Sequence, residues 1–386
     1  MYEIKTMNNI AQQGLSVLSA KGLMVNDDAA DPDGLLIRSA KLHDMEFGPN
    51  LLAIARAGVG VDNVPVQRCT EQGVVVFNTA GANAQAVVEL AVCSLVLASR
   101  DLMEGAIWAR GLAGQDNVEA AVEAGKKAFV GPEIQGKTLG VIGLGGIGSR
   151  IAKAAIALGM SVKGYDPYIS VEAAWHLDSA VEHAEDLASL YRSCDYILVQ
   201  VHHNEKTHHM LNADAFAQMK DGVRVINLAR GGLVDEDAMV AALSSGKVAR
   251  YVTDFPSAKV VGVKGVVAFP HLGASTPESE EKCAVMAAQE LADFLLNGNI
   301  RNSVNMPALT LERAGVNRLC AIHDNVPRML NSFLDIIGGE NINVEHMQNR
   351  ARGDVAYTVI DVGSPISGEL LERIKAVPHV RRVRVL

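Results

Sequence analysis

The sequence predicts an α/β protein built on doubly wound parallel sheets, followed by a smaller C-terminal α+β module of ferredoxin-like order. Three observations lead to this fold class. Short apolar stretches alternate with amphipathic ones through most of the 386 residues. A glycine-rich turn joins one apolar stretch to a helical one. Near the C-terminus, the order of the predicted elements changes to βαββαβ.

The apolar stretches predict buried parallel strands, because strands covered on both faces carry apolar residues throughout. The predicted strands are Leu51–Arg56, Gly73–Asn78, Thr138–Gly143, Ser161–Asp166, Asp195–Val201, Val223–Ala229 and Val266–Pro270. The predicted helices are Gln85–Arg100, Gly148–Leu158, Ala213–Gln218 and Glu236–Ser245. This alternation forms stacked βαβ units, and therefore an open parallel sheet with helices on both faces.

Length and composition limit the class of protein. At about 150 residues per domain, the chain is expected to contain two or three domains. A hydrophobic content of 49% with 20% charged residues excludes bulk disorder. The net charge of −9 and the aromatic content of 4% argue against binding to nucleic acid or to a membrane surface.

The sequence also suggests a compartment. The N-terminal segment is polar and lacks the apolar core of a signal peptide. No apolar run approaches the roughly 20 residues that a membrane helix needs. The five cysteines are scattered and form no Cys-x-x-Cys pair, which is typical of reduced thiols. We therefore expect a cytoplasmic protein.

A glycine motif provides the clearest functional signal. Gly143, Gly145 and Gly148 form a G-x-G-x-x-G pattern that follows an apolar strand and begins a helix. The glycines permit the tight turn, the approach of a pyrophosphate and close helix packing, and the helix start offers free N–H groups. Asp166 ends the next strand, where its carboxylate would bind the ribose hydroxyls and repel a 2′-phosphate. We therefore predict a Rossmann-type domain that prefers NAD to NADP.

Three more polar stretches lie where predicted strands end. Arg230 lies within Asn227–Asp235, Asp254 follows the next strand, and His271 begins a loop that ends at Thr276. Open α/β sheets bind their ligands at the carboxyl ends of the strands. We therefore expect these side chains to lie at one site.

These motifs, with Arg38-Ser39, Arg56–Asn63 and the stretch Asn78-Thr79…Glu89-Leu90, resemble those of the D-isomer-specific 2-hydroxyacid dehydrogenase family over nearly the whole chain. The resemblance implies a flavodoxin-like substrate domain at 1–95 and 275–306, with an NAD-binding domain inserted at 96–274. It also implies a homodimer or homotetramer that contacts through Gln85–Arg100 and the helix around Trp108.

The resemblance implies the chemistry as well. His271 is expected to take the C2 hydroxyl proton while hydride leaves C2 for the nicotinamide, because an imidazole titrates near neutrality. Arg230 is expected to bind the substrate carboxylate and polarise the C2 oxygen. The expected cofactor contacts are Gly143, Gly145, Gly146, Ile147, Gly148, Asp166, Leu228, Ala229, Asp254, Gly273 and Ala274.

The substrate implied by the resemblance is a small phosphorylated 2-hydroxy acid. The expected substrate contacts are Arg38, Ser39, Arg56 and Asn83. Two arginines would give the local positive charge that a phosphorylated acid needs, despite the net negative charge of the protein.

One departure from the family pattern concerns the histidine. The family usually has a glutamate soon after the aspartate at Asp254, where it orients the histidine. Phe255–Pro270 contains no acid and is shorter than usual. Our hypothesis is that His271 works without a carboxylate from this loop and that Lys259 occupies the nearby space.

The tail, residues 315–386, follows a linker at Pro307–Ala314. Its predicted elements are Val316–His323, Pro327–Ile337, Asn341–Gln348, Val355–Val362, Gly368–Lys375 and Val380–Leu386. This order and the His323-Asp-Asn325 motif resemble an ACT domain, whose relatives bind L-serine at residues matching His323, Asn325 and Asn343. Arg328 replaces a glycine of that site, so a dimerisation role stays open beside an L-serine effector.

Other functions are also compatible with the sequence. The substrate could be hydroxypyruvate, glyoxylate or another 2-hydroxy acid. A non-catalytic NAD-sensing protein of the same fold is a further alternative. No metal is predicted, because no cysteine or aspartate ligand set accompanies the histidines at 202, 203, 208 and 209.

Overall fold

The computed structural model describes residues 1–386 and contains sixteen strands and thirteen α-helices. The strands are β1 (Glu3–Met7), β2 (Met24–Val25), β3 (Gly34–Ile37), β4 (Ala53–Arg56), β5 (Val75–Asn78), β6 (Thr138–Ile142), β7 (Ser161–Tyr165), β8 (Val181–His183), β9 (Tyr196–Val199), β10 (Val223–Asn227), β11 (Val248–Thr253), β12 (Val266–Ala268), β13 (Asn317–Asp324), β14 (Val344–Arg352), β15 (Val355–Val362) and β16 (Val380–Val385). The helices are α1 (Gln12–Ala20), α2 (Val66–Glu71), α3 (Ala84–Ser99), α4 (Leu102–Arg110), α5 (Val118–Gly125), α6 (Gly148–Ala157), α7 (Val171–Trp175), α8 (Leu187–Ser193), α9 (Ala213–Gln218), α10 (Glu236–Ser244), α11 (Pro277–Asn297), α12 (Met329–Gly339) and α13 (Gly368–Lys375).

The chain divides into two compact units. Unit 1 comprises residues 1–83 and 277–386, and unit 2 comprises residues 84–276. The predicted domain boundaries lie at 95 and 275. The first boundary between the units instead falls after residue 83, so the whole of α3 lies in unit 2. The tail belongs to unit 1 by its contacts, whereas the predicted three-domain division stays a prediction.

Unit 2 contains a seven-stranded parallel sheet in the order β12-β11-β10-β9-β6-β7-β8. Its central strands are fully buried, as in β9, where each of the four residues is inaccessible. The Rossmann-type prediction is therefore confirmed. Several predicted strands end one or two residues early, because their last residues turn into loops at the carboxyl edge of the sheet.

Unit 1 contains a second parallel sheet, in the order β2-β1-β3-β4-β5. The 21-residue helix α11 packs on this sheet and against α1. Helices α1 and α11 approach closely at Gly14, where a Cβ would lie 2.7 Å from the carbonyl oxygen of Ala284. Strand β1 was not predicted from the sequence, because three of its five residues are polar and only Ile4 is buried.

The tail forms a four-stranded antiparallel sheet in the order β14-β15-β13-β16, which confirms the ferredoxin-like prediction. Helices α12 and α13 cover one face through Phe333, Leu370 and Ile374. The other face contributes Tyr357 and Val359 to the core that α11 forms with β4 and β5. The Tyr357 hydroxyl donates to the carbonyl of Gly298 at 2.6 Å.

A buried ion pair within the tail includes an arginine that also binds the segment preceding the tail. Arg318 on β13 and Asp361 on β15 are completely inaccessible and meet through two bonds of 2.6 and 2.7 Å. The same guanidinium donates to the carbonyls of Asn297, Leu311 and Glu312. Since Leu311 and Glu312 lie in the predicted linker and Asn297 ends α11, this arginine fixes both the linker and the end of α11 against the tail.

We predict that Arg318→Ala lowers the free energy of unfolding by about 3–5 kcal/mol, because Asp361 would be left as an unpaired buried charge. Chemical denaturation of the full chain measures this loss. The exposed Arg313→Ala in the same linker is the matched control and should stay within about 0.5 kcal/mol of the wild type. Equal stability of the two variants would contradict the proposed anchoring role.

Glu290 on α11 is a buried acid outside both predicted sites. Asn302 donates to its Oε1 at 2.5 Å, whereas Oε2 has no hydrogen-bond partner. Burial raises the pKa of Glu290 to about 7, against the opposing effects of Asn302 and Arg301. Between about pH 4.5 and 7, the folded state therefore keeps this proton while the unfolded chain loses it. As a result, the contribution of this group to the free energy of unfolding falls as the pH rises through that range.

We predict that Glu290→Gln is more stable than the wild type by about 1–3 kcal/mol at pH 8, because it removes a buried charge. The difference should shrink as pH falls through 7 and disappear near pH 4, where both side chains are neutral. Thermal and chemical unfolding at several pH values test this. The exposed Glu281→Gln on the same helix serves as control, and an identical pH dependence in both variants would refute the prediction.

No helix of the structure combines the length and the apolar character needed to cross a membrane.

Candidate active site

The glycine loop between β6 and α6 has the geometry that its sequence predicts. Gly143 has a φ of 94°, and a Cβ there would lie 2.4 Å from the carbonyl oxygen of Gln200. A Cβ on Gly148 would lie 1.9 Å from the Gly143 carbonyl oxygen. By contrast, a Cβ on Gly145 or Gly146 would meet nothing within 4 Å. The first and last glycines are thus needed for packing, and the middle pair leaves open space beside the start of α6.

Asp166 lies directly after β7 and orders this loop. Its Oδ2 accepts from the backbone N–H of Leu144 at 2.9 Å, and its Oδ1 accepts from Tyr168 N–H at 3.0 Å. Each carboxylate oxygen can accept more than one hydrogen bond, so the group can still bind ribose hydroxyls. Asp166 therefore connects the phosphate loop to the predicted ribose position.

The arginine loop follows β10. Arg230 has extended backbone and donates through its guanidinium to the carbonyl of Ala229. The buried amide of Asn227 holds this loop from both sides, because it donates to the Arg230 carbonyl at 2.8 Å and accepts from Ala229 N–H at 3.1 Å. Asn227 belongs to the motif around Arg230, but the sequence alone does not indicate this role. Its position as the last residue of a buried strand was the available signal.

The histidine loop depends on Asp254. This carboxylate is 1% exposed and accepts from the backbone N–H groups of Leu272 and Gly273 at 2.6 and 2.7 Å. Burial raises the pKa of Asp254, although these bonds and the neighbouring His271 oppose the shift. His271 itself is exposed and has a φ of 56°, in the left-handed region. Asp254 thus stabilises a backbone conformation that an L-residue rarely adopts.

The side-chain neighbour of His271 is Phe255. Their ring centroids lie 4.6 Å apart, and the Arg230 guanidinium lies over the same phenyl ring at 5.6 Å. Phe255 is therefore an aromatic contact shared by the two predicted catalytic residues. The sequence alone does not indicate this contact, because no local pattern shows which side chain faces the histidine.

Lys259 does not support the hypothesis made for it. Its ammonium donates to Asp237 on α10 at 2.7 Å, and both side chains are exposed. This ion pair raises the pKa of Lys259. A lysine engaged with α10 explains its presence without a role beside His271.

The remaining expected cofactor residues lie in the same three loops. Leu228 and Ala229 are buried, and Gly273 is buried against the Asp254 carboxylate. Ile147 immediately precedes α6 and is half-buried, and Ala274 follows in the histidine loop. All of these positions follow the carboxyl ends of strands in the unit 2 sheet, where such sheets bind ligands.

The expected substrate arginines end neighbouring strands of unit 1. Residue 37 of β3 pairs with Arg56 of β4, and Arg38 follows immediately. The Arg56 Nε donates to the Arg38 carbonyl at 3.0 Å, and a Cβ on Gly58 would collide with the Arg56 guanidinium. Arg38 forms an ion pair with Glu280 of α11 at 2.5 Å, with both side chains over a third exposed. Such an exposed pair is weak enough for a substrate anion to compete.

The other expected substrate residues have distinct surroundings. Asn8, with a φ of 73°, accepts from the backbone N–H groups of Ser39 and Ala40, so it orders the loop after Arg38. Asn83 is buried at the end of the first segment of unit 1, and its Oδ1 has no hydrogen-bond partner. The role of these residues toward a substrate stays a prediction.

In the tail, His323 is 2% exposed and both ring nitrogens are engaged, one with the Asp324 carbonyl and one with the Thr358 hydroxyl, each at 2.8 Å. Burial lowers the pKa of His323.

Asn325 donates to the Gly353 carbonyl, and Asn343 donates to the Glu345 carboxylate. Their regulatory role stays a prediction. Arg328 has a φ of 73°, in the left-handed region, which a glycine would adopt without strain.

Comparison with known proteins identifies the family. Residues 104–273 match the D-isomer specific 2-hydroxyacid dehydrogenase, NAD binding domain. The hydroxypyruvate reductase of Thermotoga maritima is 38% identical over 271 residues, which cover 67% of this chain and 83% of that enzyme. This chain belongs to the D-isomer-specific 2-hydroxyacid dehydrogenase family. The family resemblance and the NAD-binding domain predicted from the motifs are therefore confirmed.

A second relative has a different name. The D-3-phosphoglycerate dehydrogenase of Synechocystis sp. is 34% identical over 329 residues, covering 80% of this chain and 57% of that enzyme. The chain thus spans little more than half the length of such relatives. Among solved structures, the NAD+-bound 3-phosphoglycerate dehydrogenase of Entamoeba histolytica matches with a TM-score of 0.64 at 24% identity, covering 80% of this chain and 99% of that one. At this identity the match shows the shared fold.

We predict that Asp254→Asn lowers kcat/KM by about 10–100-fold, because the amide presents an N–H group to one of two backbone donors and loosens the His271 loop. Steady-state kinetics with NAD and a panel of 2-hydroxy acids measure the change. Asp237→Asn, which alters only the exposed partner of Lys259, is the control and should leave the kinetics unchanged. Wild-type activity in Asp254→Asn would show that the loop does not need this carboxylate.

Proposed function

We propose that the protein is an NAD-dependent D-3-phosphoglycerate dehydrogenase, which oxidises D-3-phosphoglycerate to 3-phosphohydroxypyruvate in the first step of phosphorylated L-serine biosynthesis. The observation that carries the proposal is the arginine pair at adjacent strand ends of unit 1, Arg38 and Arg56. Two guanidinium groups suit a substrate that bears a phosphate as well as a carboxylate. The similarity to the Synechocystis enzyme supports the same substrate.

The residues around the glycine loop fit NAD. The space beside Gly145 and Gly146 admits a pyrophosphate close to the backbone, and α6 offers its first N–H groups. Asp166 would bind the ribose hydroxyls and disfavour a 2′-phosphate. Bound NAD supplies the hydride acceptor, and the protein supplies orientation and proton transfer.

Two residues of unit 2 would act on the C2 centre. Arg230 would bind the substrate carboxylate and the C2 oxygen, since its guanidinium is permanently charged and offers several donors in one plane. His271 would accept the C2 hydroxyl proton at a ring nitrogen as hydride leaves. In the reverse reaction the same nitrogen would return the proton.

Phe255 would take over part of the role of the missing glutamate. A carboxylate would both orient the imidazole and stabilise its charged form, whereas a phenyl ring offers mainly packing. The 4.6 Å contact supports an orienting role for Phe255, and the Arg230 guanidinium over the same ring links the two catalytic side chains. His271 would thus work without an acidic side-chain partner from its own loop.

We predict that His271→Asn lowers the rate of NADH formation from 3-phosphoglycerate by at least about 100-fold, because general-base catalysis contributes roughly 10²–10⁴. NAD affinity should change little, which fluorescence titration checks. His176→Asn, an exposed histidine on the surface of unit 2, is the control. Retained activity in His271→Asn would contradict the proton-transfer role, and NAD binding without turnover in the wild type would favour the NAD-sensing alternative.

A second candidate is a reductase of hydroxypyruvate or glyoxylate. The 38% identity to the Thermotoga maritima hydroxypyruvate reductase favours it. Values of kcat/KM for phosphorylated and unphosphorylated acids distinguish the two. If 3-phosphoglycerate is the substrate, Arg56→Gln should reduce its kcat/KM far more than that of glyoxylate, and equal losses would favour the second candidate.

A further inference from the structure

A cavity lies in unit 1, and its lining includes none of the residues assigned above to substrate or cofactor. Its volume is about 560 Å³, within the usual range of small-molecule sites. It opens between the segment that follows α11 and strand β14 of the tail. The lining residues are Ile300, Arg301, Asn302, Ala308, Leu309, Thr310, Gln348 and Arg350.

Strand β14 directs one of its faces toward this segment. Gln348, Arg350 and Arg352 alternate along β14 and so share a face. The Arg352 guanidinium donates to the Ser303 carbonyl at 2.9 Å, which shows that this face meets the segment after α11. On the neighbouring strand β15, the residue opposite Arg350 is Tyr357, whose side chain is buried in the shared core. The cavity therefore lies at the edge of that core.

The cavity has a strong positive character. Arg350 is exposed and makes no side-chain hydrogen bond or ion pair within the chain. Arg301 is 64% exposed at its side chain, and its closest approach to Asp293 is 3.7 Å, between Nε and Oδ2. An ion pair of that length and exposure contributes little. Two guanidinium groups, one from each side of the cavity, are thus available to an incoming anion.

The remaining lining suits a small organic ligand. Ile300 and Leu309 are buried and give the cavity an apolar base. Thr310 and Gln348 add a hydroxyl and an amide, which can bind hydroxyl or carbonyl groups of a ligand. Asn302 is already engaged with Glu290, so it contributes mainly shape. An apolar base with a few polar groups at the rim is typical of metabolite sites.

We propose that this cavity binds a small organic dianion, whose two charged groups are carboxylates or phosphates, between Arg301 of the segment after α11 and Arg350 of the tail. A guanidinium matches either group with two parallel hydrogen bonds. Because the two arginines lie on opposite sides of the cavity, a bound dianion joins the tail to the segment. This ligand therefore stabilises unit 1, and the stabilisation grows with the logarithm of the ligand concentration above the dissociation constant.

The test measures anion binding to the full chain by isothermal titration calorimetry, with succinate and inorganic phosphate as separate probes. We expect saturable binding of at least one probe. Arg301→Gln and Arg350→Gln should each raise its dissociation constant at least about tenfold, because each removes a charge-assisted pair. Arg350→Lys should restore part of the affinity, since it keeps the charge and loses the planar pair of donors.

The matched control is Arg313→Gln, which removes an exposed arginine of the same segment that does not line the cavity. It should bind like the wild type. All of these variants keep the expected substrate arginines Arg38 and Arg56, so any binding there is the same in each of them. Only a loss of affinity on replacing Arg301 or Arg350 is therefore evidence for binding in the cavity. Unchanged binding in both variants, or no saturable heat with either probe, would overturn the proposal. A response to succinate alone would assign a dicarboxylate, and a response to phosphate alone a phosphate compound.

Discussion

The functional loops of unit 2 depend on a constraint at the carboxyl edge of its parallel sheet. Where strands end, backbone N–H and C=O groups lose their hydrogen-bond partners on the neighbouring strand. Leaving such groups buried without a partner costs free energy. Asn227 and Asp254 replace those partners, one for the arginine loop and one for the histidine loop. Asp166 does the same for the glycine loop. One requirement, the satisfaction of strand-end backbone, thereby positions Arg230, His271 and the phosphate loop.

The histidine loop shows how an imidazole is positioned without an acidic side chain from the segment that follows Asp254. The loop after Asp254 lacks any carboxylate, and the phenyl ring of Phe255 contacts His271 instead. A carboxylate would both orient an imidazole and stabilise its positive charge. A phenyl ring orients the imidazole without stabilising that charge, so the two effects are separated here. Arg230 lies over the same ring, so the geometry of both catalytic candidates depends on one hydrophobic side chain.

The tail is integrated with unit 1 by buried polar contacts as well as by apolar packing. Arg318 binds Asp361 and three carbonyls, and the Tyr357 hydroxyl binds the Gly298 carbonyl. A module fixed in this way cannot shift without leaving these groups unpaired. A ligand that binds the tail, such as the one proposed for the cavity beside Arg350, would therefore also affect the segment that follows α11.

Local periodicity and short motifs were sufficient to predict the parallel sheet of unit 2, the glycine loop with Asp166 and the ferredoxin-like order of the tail. They also located Arg230 and His271 at strand ends. Only the tertiary structure decided the roles of Asn227 and Phe255, the pairing of Lys259 with Asp237, and the attachment of the tail through Arg318. Those contacts join residues of loops, helices and distant strands, and their partners are set by packing that no local pattern records.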